Sequence, residues 1–137
     1  MRSAVKQFNL AKEFVVMTPD KMAITLLNSP TVYRQLDQQY GDFKGHELIA
    51  LHAFHEDWPS WEIHPHGDEV VVLLSGSATF VLKLADGDEL VVLSNPGDTV
   101  IVPKNTWHTA KIAESASVLF ITPGEGTRNE YDMAKLS

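Results

Sequence analysis

Apolar positions fall in short runs separated by turn residues, not in the long stripes of a helical protein. Phe14 to Met17 and Met22 to Leu27 are two such runs, divided by Thr18-Pro19-Asp20-Lys21. This pattern predicts a hairpin or a pair of edge strands. A different period follows. Val32, Tyr33, Leu36 and Tyr40 recur at three- and four-residue spacing, which puts them on one face of a helix. Ser29 offers an N-cap, Pro30 suits the first helical position and Gly41 can end the segment. The reading is a helix over Pro30 to Tyr40, packed on the outside of something larger.

Beyond it the chain reads as strands and turns. The predicted strands are Glu47 to Phe54, Trp61 to His64, Glu69 to Leu74, Ala78 to Ala85, Glu89 to Leu93, Thr99 to Val102, Thr106 to Ile112 and Ser117 to Thr122. Ser75-Gly76, Asp86-Gly87 and Asn95-Pro96-Gly97-Asp98 supply turns between them, Asp-Gly being a strong hairpin signal. Short strands at roughly ten-residue spacing point to a sandwich or closed barrel. Val70 to Leu74 and Phe80 to Leu84 are apolar at nearly every position, so both of their faces should be covered. Thr122 to Thr127 is glycine-rich but lacks the Lys-Ser/Thr of a phosphate loop, and reads as a turn leaving the last strand. The expected organisation is one domain: residues 1–45 as strands and helix packed on a barrel, 46–123 as the barrel, and 124–137 as a tail.

Composition narrows the function. The chain has 137 residues, 44% of them hydrophobic, which is enough to fold without a metal or disulfide. Acidic residues outnumber basic ones 18 to 11, giving a net charge of -7 that repels phosphate backbones and argues against nucleic acid. With no cysteine, a disulfide scaffold, a thiolate zinc site and a cysteine nucleophile are excluded. Met1 to Leu10 lacks the apolar core of a signal peptide, and no stretch approaches a membrane span. The expectation is a cytoplasmic protein.

Histidine is the unevenly placed residue. His46, His52, His55, His64 and His66 cluster within a short stretch, and His108 stands apart. In Trp61-Glu62-Ile63-His64-Pro65-His66-Gly67-Asp68-Glu69, residues 62, 64 and 66 alternate. On a strand they would share a face, and Glu69 would return on the next strand. Carboxylates and imidazoles gathered inside a barrel are costly unless paired or bound to a cation.

These residues resemble the signatures of the cupin superfamily. The first is written as Gly, five residues, His-x-His, three or four residues, Glu, six residues, Gly. Glu69 followed by six residues and Gly76 fits it, whereas Glu56 stands in place of the leading Gly. Gly97, Pro103 and His108 fit the second signature, with Asn105 where the family has Gly. The His-x-His can be laid on His64-Pro65-His66, which leaves too few residues before Glu69, or on Glu62 and His64, which keeps the spacing. The favoured set is Glu62, His64, Glu69 and His108, with His66 as the alternative to Glu62. If the chain bends at Pro65, His66 lies in the turn and tips toward the barrel mouth, at most supporting a ligand or touching substrate, while Glu62 stays on the strand.

The resemblance implies an all-β, cupin-type double-stranded β-helix (a jelly-roll barrel) with a short N-terminal helix and edge strands. It also implies one divalent transition metal per chain, Mn, Fe, Ni or Zn, suited to two imidazoles and two carboxylates. His46, His52 and His55 match neither signature and read as structural or exposed, His52 least securely because its strand should line the barrel. Trp58, Trp61 and Trp107 flank the ligand segments and read as packing or as pocket wall. Cupins range from oxygenases and isomerases to binding proteins. Two readings follow: a small metalloenzyme of oxygenase or isomerase type acting on a small polar molecule, or a non-catalytic ligand-binding or sensor protein. No catalytic residue beyond the metal set stands out. A homodimer is expected, since strands apolar on both faces need a cover.

Overall fold

The structure, a computed structural model, describes residues 5–136. Met1 to Ala4, part of the stretch read for a signal peptide, lie outside the described residues. The chain runs β1 (Glu13–Met17), β2 (Ala23–Leu27), α1 (Val32–Tyr40), β3 (Glu47–Phe54), β4 (Trp61–Ile63) and β5 (Glu69–Gly76). It continues through β6 (Ala78–Leu84), β7 (Gly87–Leu93), β8 (Thr99–Val102), β9 (His108–Lys111), β10 (Ala116–Thr122) and β11 (Arg128–Glu130), and ends in a 3-10 turn at Met133–Leu136. Among the described residues no helix is long and apolar enough to cross a membrane.

The strands form two antiparallel sheets. One has six strands in the order β2-β1-β3-β10-β5-β8, the other five in the order β11-β4-β9-β6-β7. Hydrogen bonding does not close them into one continuous barrel. The main core lies between them. On β10 the alternation buries Ala116, Val118 and Phe120, which meet Val71 and Leu73 of β5 and Phe80 and Leu82 of β6. A second cluster holds the N-terminal region in place. Phe14 and Val16 of β1 and Val32 and Leu36 of α1 pack with Leu48 and Ala50 of β3.

The hairpin read from residues 14–27 forms as β1 paired with β2. Three local readings need correction. The helix begins at Val32 with Thr31 at its N-cap, two residues later than Pro30. Ser29 lies outside it, its carbonyl accepting the Val32 N–H at 3.1 Å and its hydroxyl accepting the Thr31 N–H at 3.3 Å. Ser75-Gly76 is not a turn but the end of β5, paired with Ser117 and Ala116. Ser117 to Thr122 is not the last strand: residues 124–137, read as a tail, contain β11, which pairs with β4 from Arg128↔Ile63 to Glu130↔Trp61. Three residues of mixed polarity carry no period for a sequence reading to detect.

The covering of apolar strands is also less complete than expected. Val71 and Leu73 are buried and Val70 and Val72 half-buried, but Leu74 is 42% exposed. Leu90 and Val92 on the edge strand β7 are each 64% exposed.

Two backbone positions explain the signature spacings. Gly76 has φ +77, and a Cβ there would lie 2.1 Å from the Ser115 carbonyl oxygen, so only glycine lets β5 and β10 approach. Asn105, where the family has Gly, has φ 61. Asparagine is among the side chains that tolerate this left-handed region, so the departure preserves the geometry.

Candidate metal centre and its pocket

Three strands and the loop after β4 bring the predicted residues together. Glu62 on β4 is the register partner of His108 at the start of β9, so an antiparallel pair sets the two side chains on one face. His64 follows β4 immediately, held by its carbonyl, which accepts the Asn105 N–H at 3.0 Å. This bond ties the first ligand segment to the loop that delivers His108. Glu69 opens β5 and is 2% exposed; His64 is 4% and His108 1% exposed.

Glu62, His64 and His108 each place one donor atom within 4.8 Å of the others. Glu69 completes the group, with Oε2 3.3 Å from His64 Nε2 and Oε1 3.2 Å from His108 Nε2. Glu62 Oε1 lies 3.5 Å from His64 Nε2. His66 does not join them. Residues 65 and 66 form a turn, and the His66 side chain is 56% exposed with Nε2 3.9 Å from Glu125.

His108, His64 and Glu69 are each held on the side away from the cluster. His108 Nδ1 lies 3.0 Å from the Thr106 carbonyl, an oxygen that can only accept, so Nδ1 carries a proton and Nε2 faces the cluster. His64 Nδ1 is 2.8 Å from the Thr127 hydroxyl. The Thr122 hydroxyl donates to Glu69 Oε2 at 2.6 Å, orienting the carboxylate. Such partners fix ring orientation and raise donor basicity at metal sites. Neither threonine was singled out in the sequence. Alternation on β10 carries the signal for Thr122, since it shares a face with Val118 and Phe120; Thr127 sits in a loop with no period.

The inward atoms remain unpaired. His64 Nε2, His108 Nε2 and Glu69 Oε1 are buried with no hydrogen-bond partner, although they lie close together. An unprotonated Nε2 facing a carboxylate at 3.2 Å would be repulsive, so buried groups of this kind need a positive charge between them. Without a metal, a proton takes that place. Burial disfavours the charged His64 imidazole, but the carboxylates of Glu62 and Glu69 outweigh it and push its pKa up to about 9. Burial likewise opposes ionisation of Glu69, yet His108 and His64 hold its pKa down to about 2. A divalent cation meets the same need, and the donor set of two imidazoles and two carboxylates fits one.

The centre opens into a cavity of about 930 Å³ lined by residues of both sheets and of α1. His52 of β3 lies on its wall, its Nε2 2.8 Å from the Tyr33 hydroxyl of α1. Burial lowers the pKa of His52, which keeps it uncharged near neutral pH, where the phenol of Tyr33 is neutral as well. His46 packs at a tilt against Tyr40 and Phe43, outside this lining, whereas His55 is an exposed residue of the cavity lining. Of the tryptophans only Trp58 lines the cavity, its ring 6.2 Å from that of His108. Trp61 is buried with Lys83 Nζ 5.2 Å from its ring centroid, and Arg128 lies 5.6 Å from that of Trp107.

Comparison with known proteins bears on the family and the fold. Acireductone dioxygenase of Bacillus licheniformis is 38% identical over 60 residues, which are 44% of this chain and 34% of that protein. The Bacillus subtilis acireductone dioxygenase is 37% identical over the same length. The match thus spans about a third of the length of these curated relatives. A solved mutant of Bacillus subtilis oxalate decarboxylase superimposes with a TM-score of 0.52 at 19% identity, over 61% of this chain and 23% of that one. A Shewanella frigidimarina protein containing a cupin-2 domain gives 0.49 at 21% identity, over 56% of this chain and 70% of that one. The family described as "Cupin domain" matches residues 52–122, just over half of the chain and the whole span from the cavity strand β3 to the Thr122 that orients Glu69. With both sheets, both ligand segments and this match in agreement, the chain belongs to the cupin domain family.

Proposed function

We propose that this chain is a metal-dependent cupin enzyme. In this reading Glu62, His64, Glu69 and His108 hold one divalent transition metal, Mn, Fe, Ni or Zn, and the open cavity receives a small organic substrate. The carrying observation is the set of three buried, unpartnered atoms, His64 Nε2, His108 Nε2 and Glu69 Oε1, that converge on one point. The bound ion would supply Lewis acidity and, if redox-active, one-electron chemistry. The protein's own contribution is positional. Thr127 and Thr106 aim the two imidazoles, Thr122 aims Glu69, and Glu62, 31% exposed at its side chain, is the ligand nearest the opening. Tyr33 and His52 give the wall an uncharged donor and acceptor within the same cavity.

The reaction class we favour is an oxygenase or isomerase. Support comes from the local likeness to acireductone dioxygenases, which are dioxygenases by name, and from the fold likeness to oxalate decarboxylase, one structure of which is described by its Mn(II) centres. A second reading, a non-catalytic ligand-binding or sensor cupin, uses the same pocket without turnover. We further read the two sheets as halves of a jelly-roll barrel, and the protein as a cytoplasmic homodimer without nucleic-acid partners. The exposed Leu90 and Val92 on an edge strand support association with a second copy. Metal analysis of protein purified without added metal, followed by oxygen-uptake screening with small acids, thiols and phenols, separates enzyme from binder. Bound metal with oxygen uptake supports the enzyme; a metal-loaded protein that binds small molecules but turns none over supports the sensor.

A further inference from the structure

The cavity has a charge pattern that the metal centre alone does not require. Apart from the ligands, four acidic side chains line it: Asp37 and Asp42 from α1 and the loop after it, and Glu56 and Asp57 from the segment between β3 and β4. All four are exposed. Among the described residues that line the cavity, none is Lys or Arg. Recognition of a carboxylate or phosphonate rests on Arg forks or Lys point charges, and this lining supplies neither.

A metal ion does not reverse the balance. Glu62 and Glu69 already offset the charge of a divalent cation, and Asp57 is partly offset by Lys111 at 3.9 Å. The net negative charge beyond the centre therefore rests on Asp37, Asp42 and Glu56. A concave site lined by one sign of charge concentrates the opposite sign and repels its own.

The remaining wall is aromatic. Phe54, Trp58 and Phe120 form a connected set with ring centroids 5.6 to 6.0 Å apart, and Phe43 lies on the same lining. Aromatic faces hold apolar bodies and attract organic cations. Two polar elements of the wall, Tyr33 and His52, are joined to each other by a 2.8 Å contact. The lining's further polar side chains are exposed His55 and the neutral Ser60, Thr122, Thr127 and Asn129.

Resting on the metal-centre reading above, we propose that this pocket selects an organic molecule with an aromatic or apolar body and no negative charge, cations foremost, and that it excludes carboxylates and phosphonates. The acidic rim gathers the ligand, the ring wall seats its body, and the end that reaches the centre is uncharged.

Three ligands of one shape and different charge test this: benzylamine, benzyl alcohol and benzoate, titrated at neutral pH into the full chain, both metal-free and loaded with Zn(II). Binding is expected in the order benzylamine, benzyl alcohol, benzoate, with benzoate weaker than benzylamine by about tenfold or more in both forms. The triple variant Asp37→Asn, Asp42→Asn, Glu56→Gln alters only exposed positions. It should shrink that gap to about threefold or less while zinc still binds at the wild-type stoichiometry. Benzoate binding as tightly as benzylamine in either form would overturn the proposal, as would no binding by any of the three or a gap unchanged in the triple variant. Failure of zinc to bind is a separate result that removes the metal-centre reading, while the ranking in metal-free protein still judges the pocket.

Discussion

Glu62 stands directly opposite His108 across the β4–β9 pair. That pairing makes a residue of the first signature and a residue of the second share one face, although forty-odd residues separate them in sequence. It also favours Glu62 over His66 in placing the signature. Glu62 is fixed by a strand, whereas His66 sits in the turn that begins at Pro65 and points to solvent. Glu62→Ala should therefore weaken metal binding by about 100-fold or more, beyond the usual effect of losing an outer-shell partner. His66→Ala should change it by about threefold or less. Parallel metal titrations of the two variants decide it, and the reverse order would restore His66 as a ligand.

Thr122 and Thr127 act through the residues they orient. Thr122→Val removes the donor to Glu69, and Thr127→Val removes the partner of His64 Nδ1. Each should lower metal affinity by about 10- to 100-fold with the far-UV circular dichroism spectrum unchanged. Affinities equal to wild type in both would mean the threonines are packing residues only.

Proton release should accompany metal binding. His64 is held near a pKa of about 9 by the neighbouring carboxylates, so at neutral pH its proton must leave before a cation can take its place. Glu69, held near about 2, is already ionised. Apparent affinity should rise as pH increases toward about 9 and then level off. Calorimetry in buffers of different ionisation enthalpy should find about one proton released per metal at pH 7; a pH-independent affinity would contradict this. The same shift has a consequence for the metal-free protein. A histidine pKa raised on folding stabilises fully below its unfolded value of 6.5 and loses that contribution as pH rises through about 9. Urea unfolding of metal-free protein should show stability falling across that window.

The two special backbone positions should respond differently to substitution. At Gly76 an added Cβ would strike the Ser115 carbonyl, so Gly76→Ala should be severely destabilising, by about 4 kcal/mol or more. Asn105 already holds φ 61. Asn105→Gly should be near neutral, and Asn105→Ala should cost about 1–2 kcal/mol for the left-handed backbone. Chemical denaturation of the three variants checks the order.

How much of this was legible in the chain varies with the kind of signal. Strands β1 to β10 announced themselves because turn residues punctuate alternating or continuous apolar runs, and the period of two placed Glu62 and His64 on one side. β11 was invisible: Arg128-Asn129-Glu130 has no hydrophobic period, and only the free edge of β4 makes it a strand. The start of α1 was misplaced because Ser29 and Pro30 fit a helix terminus locally, while the chain leaving β2 turns first. The helical period puts Tyr33 on a packing face, yet it is 51% exposed and reaches His52. A helical period reports which side faces inward but not that the inward side borders a cavity.

The claim on which the rest depends is that Glu62, His64, Glu69 and His108 form a metal centre the fold does not need for its stability. Metal content measured by mass spectrometry tests it directly, on wild type, His64→Ala and His108→Ala, each purified without added metal and re-equilibrated with Mn, Fe, Ni and Zn salts. The account predicts about one divalent ion per wild-type chain, loss of the ion in both variants, and native-like circular dichroism throughout. A wild-type protein that retains none of the four metals, or histidine variants that keep theirs, would contradict it.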